Sequence, residues 1–568
     1  MNYAEIYNRW LNSAQLDEAT KAELKSIQGN EEEIKDRFFQ DLEFGTGGLR
    51  GVIGAGTNRI NRYTVRKATR GYAEYIKKAG AEACRRGVVI AHDNRRFSRE
   101  FCLETAGVLA ANGIRAYIFN SLRTTPELSF TVRHLGAFGG IVITASHNPP
   151  EYNGYKLYDE HGCQFVPRQT DAVLAEIQKI TDPLSVQALS LENAGDLISV
   201  LDSEIDERYY DAVASISLNP NVKKEIKIIY SPQHGTGNIP VRTLLDRLGY
   251  NVIPVLEQCD PDPEFSNTKD PNPESDAAYE LALQYAKKHD ADIVITNDPD
   301  CDRLGVAVKR GTDFVRMTGN QSAAVLLEYI LSNRKKQGTL PENGVMFNTV
   351  VTSDLGDRIC ADYGISTEKT LTGFKFIGDK IHQHELVGDK TFVFGYEESY
   401  GCLIGDFVRD KDAVQASLML CEAAAYYHQQ GKTLLDVLDV LYDKYGYFVD
   451  ALETIKFKGL DVQQKTTLLM NAYRNDPPRS VDGIEISEIQ DFCSEEMMAK
   501  GFPKSNVLKF ILADGSWVAV RPSGTEPKCK FYYSAVANHP NQAKAKLESL
   551  RDVFTNYLEI IQPDKQNK

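Results

Sequence analysis

The chain has 568 residues, 42% hydrophobic and 25% charged, with 65 basic against 79 acidic side chains and a net charge of −14. At roughly 150 residues per domain this length corresponds to three or four domains, which excludes a single small binding module, and the composition is that of a packed globular chain rather than a disordered one. The acidic balance argues against a protein that coats nucleic acid or docks on anionic lipid, since both need a basic field.

The ten cysteines, the closest being Cys84 and Cys102, give no zinc-ribbon or thioredoxin spacing, so reduced thiols are expected. The start Met1-Asn-Tyr-Ala-Glu lacks a basic segment followed by an apolar core, and no apolar run reaches the ~18 residues of a membrane span. The expectation is a soluble, cytoplasmic protein with neither nucleic-acid nor membrane partners.

Along the chain, β-rich apolar runs end in polar loops and lead into helical patterns. The glycine-rich Glu43-Phe-Gly-Thr-Gly-Gly-Leu-Arg50-Gly51 has too little strand before it for a dinucleotide fingerprint. A strand at Val88–His92 runs into Asp93-Asn-Arg-Arg96, and one at Gly139–Ile143 runs into Thr144-Ala-Ser146-His147-Asn148-Pro149. The clearest β-loop-α unit has its strand over 226–230, its loop over 231–238, Val241, Leu244, Leu245 and Leu248 on one helical face, and a second strand over 251–255. A helix over 277–288 precedes a strand over 292–296, and further strands fall at 345–351 and 391–394. Such alternation predicts parallel or mixed sheets covered by helices, with ligands beyond the carboxyl ends of the strands. From about Asp450 the pattern becomes antiparallel, with strands over 515–521 and 530–534 and a closing helix over 543–557.

Four polar segments carry the chemistry. In Asp298-Pro-Asp300-Cys-Asp302-Arg303 an extended backbone would turn all three carboxylates to one side. Charges about 4 Å apart repel by roughly 4 kcal/mol per pair at an effective dielectric of 20, so the arrangement calls for a hard divalent cation, magnesium fitting best. An EF-hand is excluded because Arg303 and Lys309 stand where it needs Gly and Glu; a solvated acidic turn is the bland alternative. Ser146 can be displayed from a tight turn fixed by Asn148 and Pro149, but the segment alone reads equally as an Asx/Pro turn, and no G-x-S-x-G hydrolase elbow is present. Arg521-Pro-Ser523-Gly524-Thr525-Glu526-Pro527-Lys528 offers a forked donor, hydroxyls and approachable backbone amides for a phosphate that does not react; alone it could be an ordinary hairpin turn, and it is not a Walker loop. Gly395-Tyr-Glu397-Glu398-Ser399-Tyr400-Gly401 provides the acceptors that sugar hydroxyls need. Arg409-Asp-Lys411-Asp412 and Thr372-Gly-Phe-Lys375 add cations, each a surface charge cluster if read alone.

Together these four segments occur in the order seen in the α-D-phosphohexomutase family, and the chain resembles its longer phosphoglucomutase/phosphopentomutase branch over essentially its whole length. The resemblance implies an α/β protein of three similar α/β domains with mixed sheets plus a smaller α+β C-terminal domain around a central cleft. Boundaries near charged or polar stretches give 1–203 with the phosphoserine loop, 204–321 with the metal loop, 322–450 with the sugar loop and 451–568 with the phosphate loop. It implies that Ser146 carries the phosphoryl group and that Asp298, Asp300 and Asp302 bind one Mg²⁺ together with the serine's phosphate. Arg50, His147 and Lys156 match the basic residues around the reacting phosphate, and Arg303 supports that region. Glu397 and Ser399 match the sugar-hydroxyl loop, with Lys411 nearby. Arg521, Ser523, Gly524 and Thr525 match the distal phosphate loop. Tyr396 departs from the simple Gly-Glu-x-Ser pattern. The activity implied is interconversion of glucose 1-phosphate and glucose 6-phosphate through a phosphoserine enzyme and glucose 1,6-bisphosphate, which also serves as activator, by a monomer or weak homodimer. Mannose- and pentose-phosphate mutases of the same family, a phosphatase using the same metal and serine, and a non-catalytic sugar-phosphate binder are the alternatives. The last of these would be expected to break a motif, and none is broken.

Overall fold

The apolar, β-branched runs become buried strands, because a segment covered on both faces has no polar side to present. The structure, a computed structural model, describes residues 2–45, 48–457, 462–522 and 528–560. Two units are separable, Met1–Met346 with Gly373–Leu434, and Phe347–Thr372 with Leu435–Lys568.

In the first unit seven strands form a mixed sheet: β1 (Phe44–Gly45), β2 (Gly48–Val52), β3 (Val88–His92), β4 (Ala116–Phe119), β5 (Gly139–Ile143), β6 (Tyr152–Tyr158) and β7 (Ile198–Leu201), in spatial order β1-β2-β6-β5-β3-β4-β7. Strands β5, β3, β4 and β7 run parallel, whereas β6 lies antiparallel between β5 and β2. Successive residues of β3 point to opposite faces. Val88 and Ile90 accordingly join the core under helix Arg62–Ala79, while Val89 and Ala91 pack with Leu128 and Val132 of helix Thr125–Leu135.

A second mixed sheet holds β8 (Lys227–Ser231), β9 (Asn251–Pro254), β10 (Ile293–Asn297), β11 (Leu304–Arg310) and β12 (Asp313–Met317), in order β12-β11-β10-β8-β9. Its β8 is parallel to β9 and β10, with β11 and β12 antiparallel at the other end. The next strands are β13 (Gly344–Thr349), β14 (Ser366–Thr370), β15 (Thr391–Tyr396) and β16 (Cys402–Leu403); β15 and β16 pair antiparallel, Gly395 opposite Leu403. Ahead of the first sheet, helices Tyr3–Leu11, Glu18–Ser26 and Glu31–Phe38 pack around the buried Trp10, an element that the sequence reading did not anticipate.

The second unit carries a wholly antiparallel sheet of β17 (Tyr447–Lys456), β18 (Ser480–Val481), β19 (Ile484–Asp491), β20 (Leu508–Leu512), β21 (Trp517–Pro522) and β22 (Lys528–Ala537), in order β17-β22-β21-β20-β19-β18. Helix Pro540–Thr555 supplies Leu547, Leu550 and Phe554 to the core on one face of this sheet. The chain is therefore a mixed α/β protein with a separate α+β C-terminal part. Among the described residues no helix is long and apolar enough to cross a membrane.

Candidate active site

The serine loop begins where β5 ends. Ser146 adopts a left-handed backbone conformation, φ 51°, and its N–H donates to Thr144 Oγ1 at 2.8 Å. On the neighbouring β6, Gly154 lies so close to this loop that a Cβ there would sit 2.3 Å from the Thr144 carbonyl oxygen and 2.9 Å from that of Leu49, so only glycine fits. Ser146 is buried, and its hydroxyl donates to Asp298 Oδ2 at 2.6 Å while lying 3.2 Å from His147 Nδ1.

The acidic segment follows β10, and its geometry differs from the expectation. It is a turn rather than extended chain: the Cys301 N–H donates to the Asp298 carbonyl at 2.9 Å, and Cys301 takes φ 58°. The carboxylates converge because the turn folds them together, not because alternate residues of a strand share a face. Asp298 Oδ1 accepts the N–H groups of Asp302 and Arg303 at 3.0 and 2.9 Å. Asp300 Oδ2 accepts Lys156 Nζ at 2.8 Å and the Thr125 hydroxyl at 3.1 Å; Asp302 Oδ2 pairs with Lys411 Nζ at 3.1 Å and, more distantly, Lys156 at 3.8 Å.

One oxygen from each aspartate lies within 4.8 Å of the others, and all three residues are buried. Asp300 Oδ1 and Asp302 Oδ1 have no hydrogen-bond partner among the described residues. Buried acceptors left without donors are costly, and a hard divalent ion bound by oxygen answers that need. The donor set thus fits a hard divalent cation, which Asp298, Asp300 and Asp302 could hold.

Electrostatics divide the three carboxylates. Burial, then the charges of Asp302 and Asp300, push Asp298 well above the ordinary carboxylate range. Burial acts on Asp300 in the same sense, but the Lys156 ammonium overrides it and holds Asp300 low. His147 is driven well below the usual imidazole value by burial and by the nearby Arg303 and Arg50, which disfavour the charged ring, so at neutral pH it is uncharged.

The other expected residues fall as follows. Arg50, on β2, is exposed, and its Nη1 lies 3.3 Å from Asn148 Oδ1 in the serine loop. Arg303 is anchored by Glu274, Nη1 to Oε1 at 2.5 Å. Glu397 is buried and accepts the Gly373 N–H at 2.8 Å; its own N–H closes the loop onto the Gly401 carbonyl at 2.9 Å. Ser399 is half-buried in that loop, and the Tyr400 carbonyl accepts the Leu304 N–H at 3.0 Å, tying the loop to the start of β11. Tyr396, the departure from the simple motif, is buried with its ring 5.6 Å from Phe394. Lys411 runs along Gly401, where a Cβ would strike its Cδ at 2.0 Å, and its ammonium goes to Asp302 and Asp410. Arg521, one residue before the end of β21, stands opposite Lys530 in the second unit. Ser523, Gly524 and Thr525 lie outside the described residues.

Ser146, His147, the three aspartates, Arg303 and Lys411 from loops and Lys156 from β6 are therefore brought together from segments far apart in the chain. Sequence reasoning missed Thr125, Glu274 and Asp410. Thr125 was marked only by Thr124-Thr-Pro126, a helix-start signal.

Residues 41–183, 207–311, 318–445 and 469–547 match the phosphoglucomutase/phosphomannomutase alpha/beta/alpha domains I, II and III and the C-terminal domain, respectively. The phosphoglucomutase of Staphylococcus epidermidis is 36% identical over 544 residues, covering 94% of this chain and 97% of the relative. That of Staphylococcus aureus is 35% identical over 529 residues, 91% of this chain and 94% of the relative. Among solved structures, Paramecium pp63/parafusin, a phosphoglucomutase, aligns with a TM-score of 0.71 at 18% identity, covering 93% of this chain and 97% of its own. A phosphoglucomutase/phosphomannomutase family protein from Burkholderia thailandensis aligns with a TM-score of 0.68 at 20% identity, covering 92% and 98%. At those identities the structures share the fold, while the sequence matches span all four segments and the loops that carry the acidic turn and its serine: the chain belongs to the phosphoglucomutase/phosphomannomutase family of α-D-phosphohexomutases, enzymes that isomerise sugar phosphates by moving a phosphoryl group.

Proposed function

We propose that the enzyme interconverts glucose 1-phosphate and glucose 6-phosphate, with Ser146 carrying the phosphoryl group between them. The observation that carries this reading is the 2.6 Å contact of Ser146 Oγ with Asp298 in a buried acidic turn. A phosphoryl group on that oxygen would face three carboxylates, which is tolerable only with a cation among them.

In the first half-reaction the bond from phosphorus to Ser146 Oγ breaks as the free sugar hydroxyl forms its bond to the same phosphorus, and the proton of that hydroxyl ends on Ser146 Oγ, giving glucose 1,6-bisphosphate. After the bisphosphate turns over, Ser146 Oγ attacks the other phosphorus, the bond from that phosphorus to the sugar oxygen breaks, and the sugar monophosphate leaves with the serine's proton delivered to that oxygen. Neutral His147, 3.2 Å from Oγ, is placed to take the serine proton in this second step. A magnesium ion held by Asp298, Asp300 and Asp302 would supply charge stabilisation at the phosphoryl oxygens. Lys156, Arg50 and Arg303 add positive charge around the same centre.

Glu397 and Ser399 are assigned to the sugar hydroxyls, and Arg521 with Ser523, Gly524 and Thr525 to the phosphate that is not reacting. Lys411 serves by balancing Asp302 and Asp410 at the rim of the acidic turn. Hexose is favoured over pentose because Ser399 matches the hexose-type loop.

The test is intact mass before and after glucose 1,6-bisphosphate. One phosphoryl group is expected on the wild type and none on Ser146→Ala, whose turnover should fall by at least about 10⁴-fold, the scale for removing a covalent nucleophile. Undiminished isomerisation by Ser146→Ala overturns the mechanism. Comparing glucose, mannose, ribose and deoxyribose 1-phosphates tests the sugar, and a strong pentose preference would overturn that assignment.

A further inference from the structure

We propose that Arg95 is the positioning residue that aims Ser146 at the phosphoryl group, an inference that rests on the phosphoserine reading above. Asp93-Asn-Arg-Arg96 follows β3, and Asp93 folds it into a tight turn by accepting the Arg95 N–H at 2.9 Å and the Ser98 hydroxyl at 2.7 Å. The Arg95 side chain has no exposed surface. Its guanidinium is the point on which the serine loop closes. Nη2 donates to the carbonyl of Ser146 at 2.6 Å and to that of Asn148, and Nη1 donates to the carbonyls of Pro149 at 2.8 Å and Tyr152 at 3.0 Å. Nε faces Asp93 Oδ2 at 3.4 Å.

Four carbonyl oxygens directed at one point repel unless a planar cation with forked donors occupies it, and a guanidinium has that shape. One of those carbonyls belongs to Ser146 itself, whose left-handed backbone is a conformation that non-glycine residues hold only where surrounding contacts fix it. The same guanidinium lies 5.1 Å above the Phe265 ring. Beside it, Asn94 Nδ2 donates to the Asp262 carbonyl at 2.8 Å, and Arg96 pairs with Glu264. Arg95 therefore joins the loop that presents Ser146 to the 262–265 segment that follows β9. The acidic turn after β10 belongs to the same sheet, so the clamp fixes the serine relative to the carboxylates it must face.

The experiment is a single turnover of dephosphorylated enzyme with excess glucose 1,6-bisphosphate, read by intact mass over time for wild type, Arg95→Lys, Arg95→Met and Phe265→Leu. The final phosphorylated fraction reports how many molecules are folded; the rate constant reports how well the serine is aimed. Lysine keeps a buried charge but cannot satisfy four carbonyls. We expect its rate constant to fall about 30-fold and that of Arg95→Met about 100-fold, with the final fraction retained, and steady-state kcat to drop while KM holds. Phe265→Leu keeps every donor and loosens only the stack, so a loss of about 3-fold is expected, and it stands in if the arginine variants fail to accumulate. A wild-type rate constant in the arginine variants, whatever their final fraction, overturns the inference, because a purely structural arginine would change the fraction alone. Wild-type enzyme that takes no phosphoryl group would instead remove the Ser146 reading and this inference with it.

Discussion

Each carboxylate of the acidic turn is held by its own set of partners, and this sets what single substitutions do. Asp300 is fixed by Lys156 from β6 and by the Thr125 hydroxyl at the start of helix Thr125–Leu135, whose N–H also donates to the Asp300 carbonyl at 3.0 Å. Groups that orient a metal-binding carboxylate typically account for 10- to 100-fold in affinity. Thr125→Val is therefore expected to weaken Mn²⁺ binding, measured by isothermal titration calorimetry, by about 10-fold, and Asp300→Asn by about 100-fold or more. If Thr125→Val binds Mn²⁺ as tightly as wild type, the hydroxyl does not orient Asp300. The local sequence marked Thr125 only as a helix start, because the carboxylate it meets lies 175 positions away. By contrast Asp298, Asp300 and Asp302 were legible, since three acids at alternate positions after an apolar strand form a local pattern.

Elements are positioned by backbone approach and buried charge. Gly154 lets β6 pass between β5 and β2, and Gly154→Ala would force a methyl against two carbonyl oxygens that belong to backbone and cannot rotate away. Overpacking of this kind costs about 3 kcal/mol, which a denaturant titration would register as a lower midpoint with the slope unchanged. In the second unit, β14 supplies the half-buried Lys369 and β20 the buried Lys509. Lys369 pairs with Asp354 at 2.8 Å and Asp357 at 2.7 Å, whereas Lys509 rests 4.1 Å above the Trp517 ring. Burial pushes Lys509 down to about 8, against the pull of Asp354, and pushes Asp357 up to about 6 despite Lys369.

The sign of the Lys509 effect follows from linkage. Between pH 8 and 10.5 the unfolded chain holds a proton that folded Lys509 does not, so its ionisation penalises folding fully below pH 8, and the penalty fades as pH rises toward 10.5. Lys509→Met should therefore be more stable than wild type by about 1–2 kcal/mol at pH 7, after discounting the lost attraction to Asp354. The difference should narrow from pH 8 to 10, and one that widened over that range would show the lysine charged in the folded state.

The strands themselves could be read from apolar runs, and β3 and β5 begin and end where the sequence put them. Which side chains met across elements could not be read. The pairing of Lys369 with Asp354, like the closure of the serine loop on Arg95, is set by tertiary approach rather than by local pattern. The extended acidic segment failed for a related reason: Cys301 adopts a left-handed conformation, which a non-glycine residue does not announce in sequence.

At the scale of the whole molecule, the chain has two tryptophans and the two units hold one each, Trp10 in the helical cluster ahead of the first sheet and Trp517 on β21. Each can report its own unit. The three aspartates and both lysines that balance them lie in the first unit. A cation that binds the folded state and not the unfolded one stabilises whatever structure forms its site, by about 2.7 kcal/mol at a hundred times its dissociation constant. Magnesium alone should therefore raise the denaturant midpoint reported by Trp10 in a Trp517→Phe variant and leave that reported by Trp517 in a Trp10→Phe variant where it was. Asp300→Asn introduced into the first variant should abolish the rise, because the acidic turn then loses a charge and one of the two carboxylate oxygens at that position. A rise confined to Trp517, or one that survives Asp300→Asn, would place the cation away from the three aspartates.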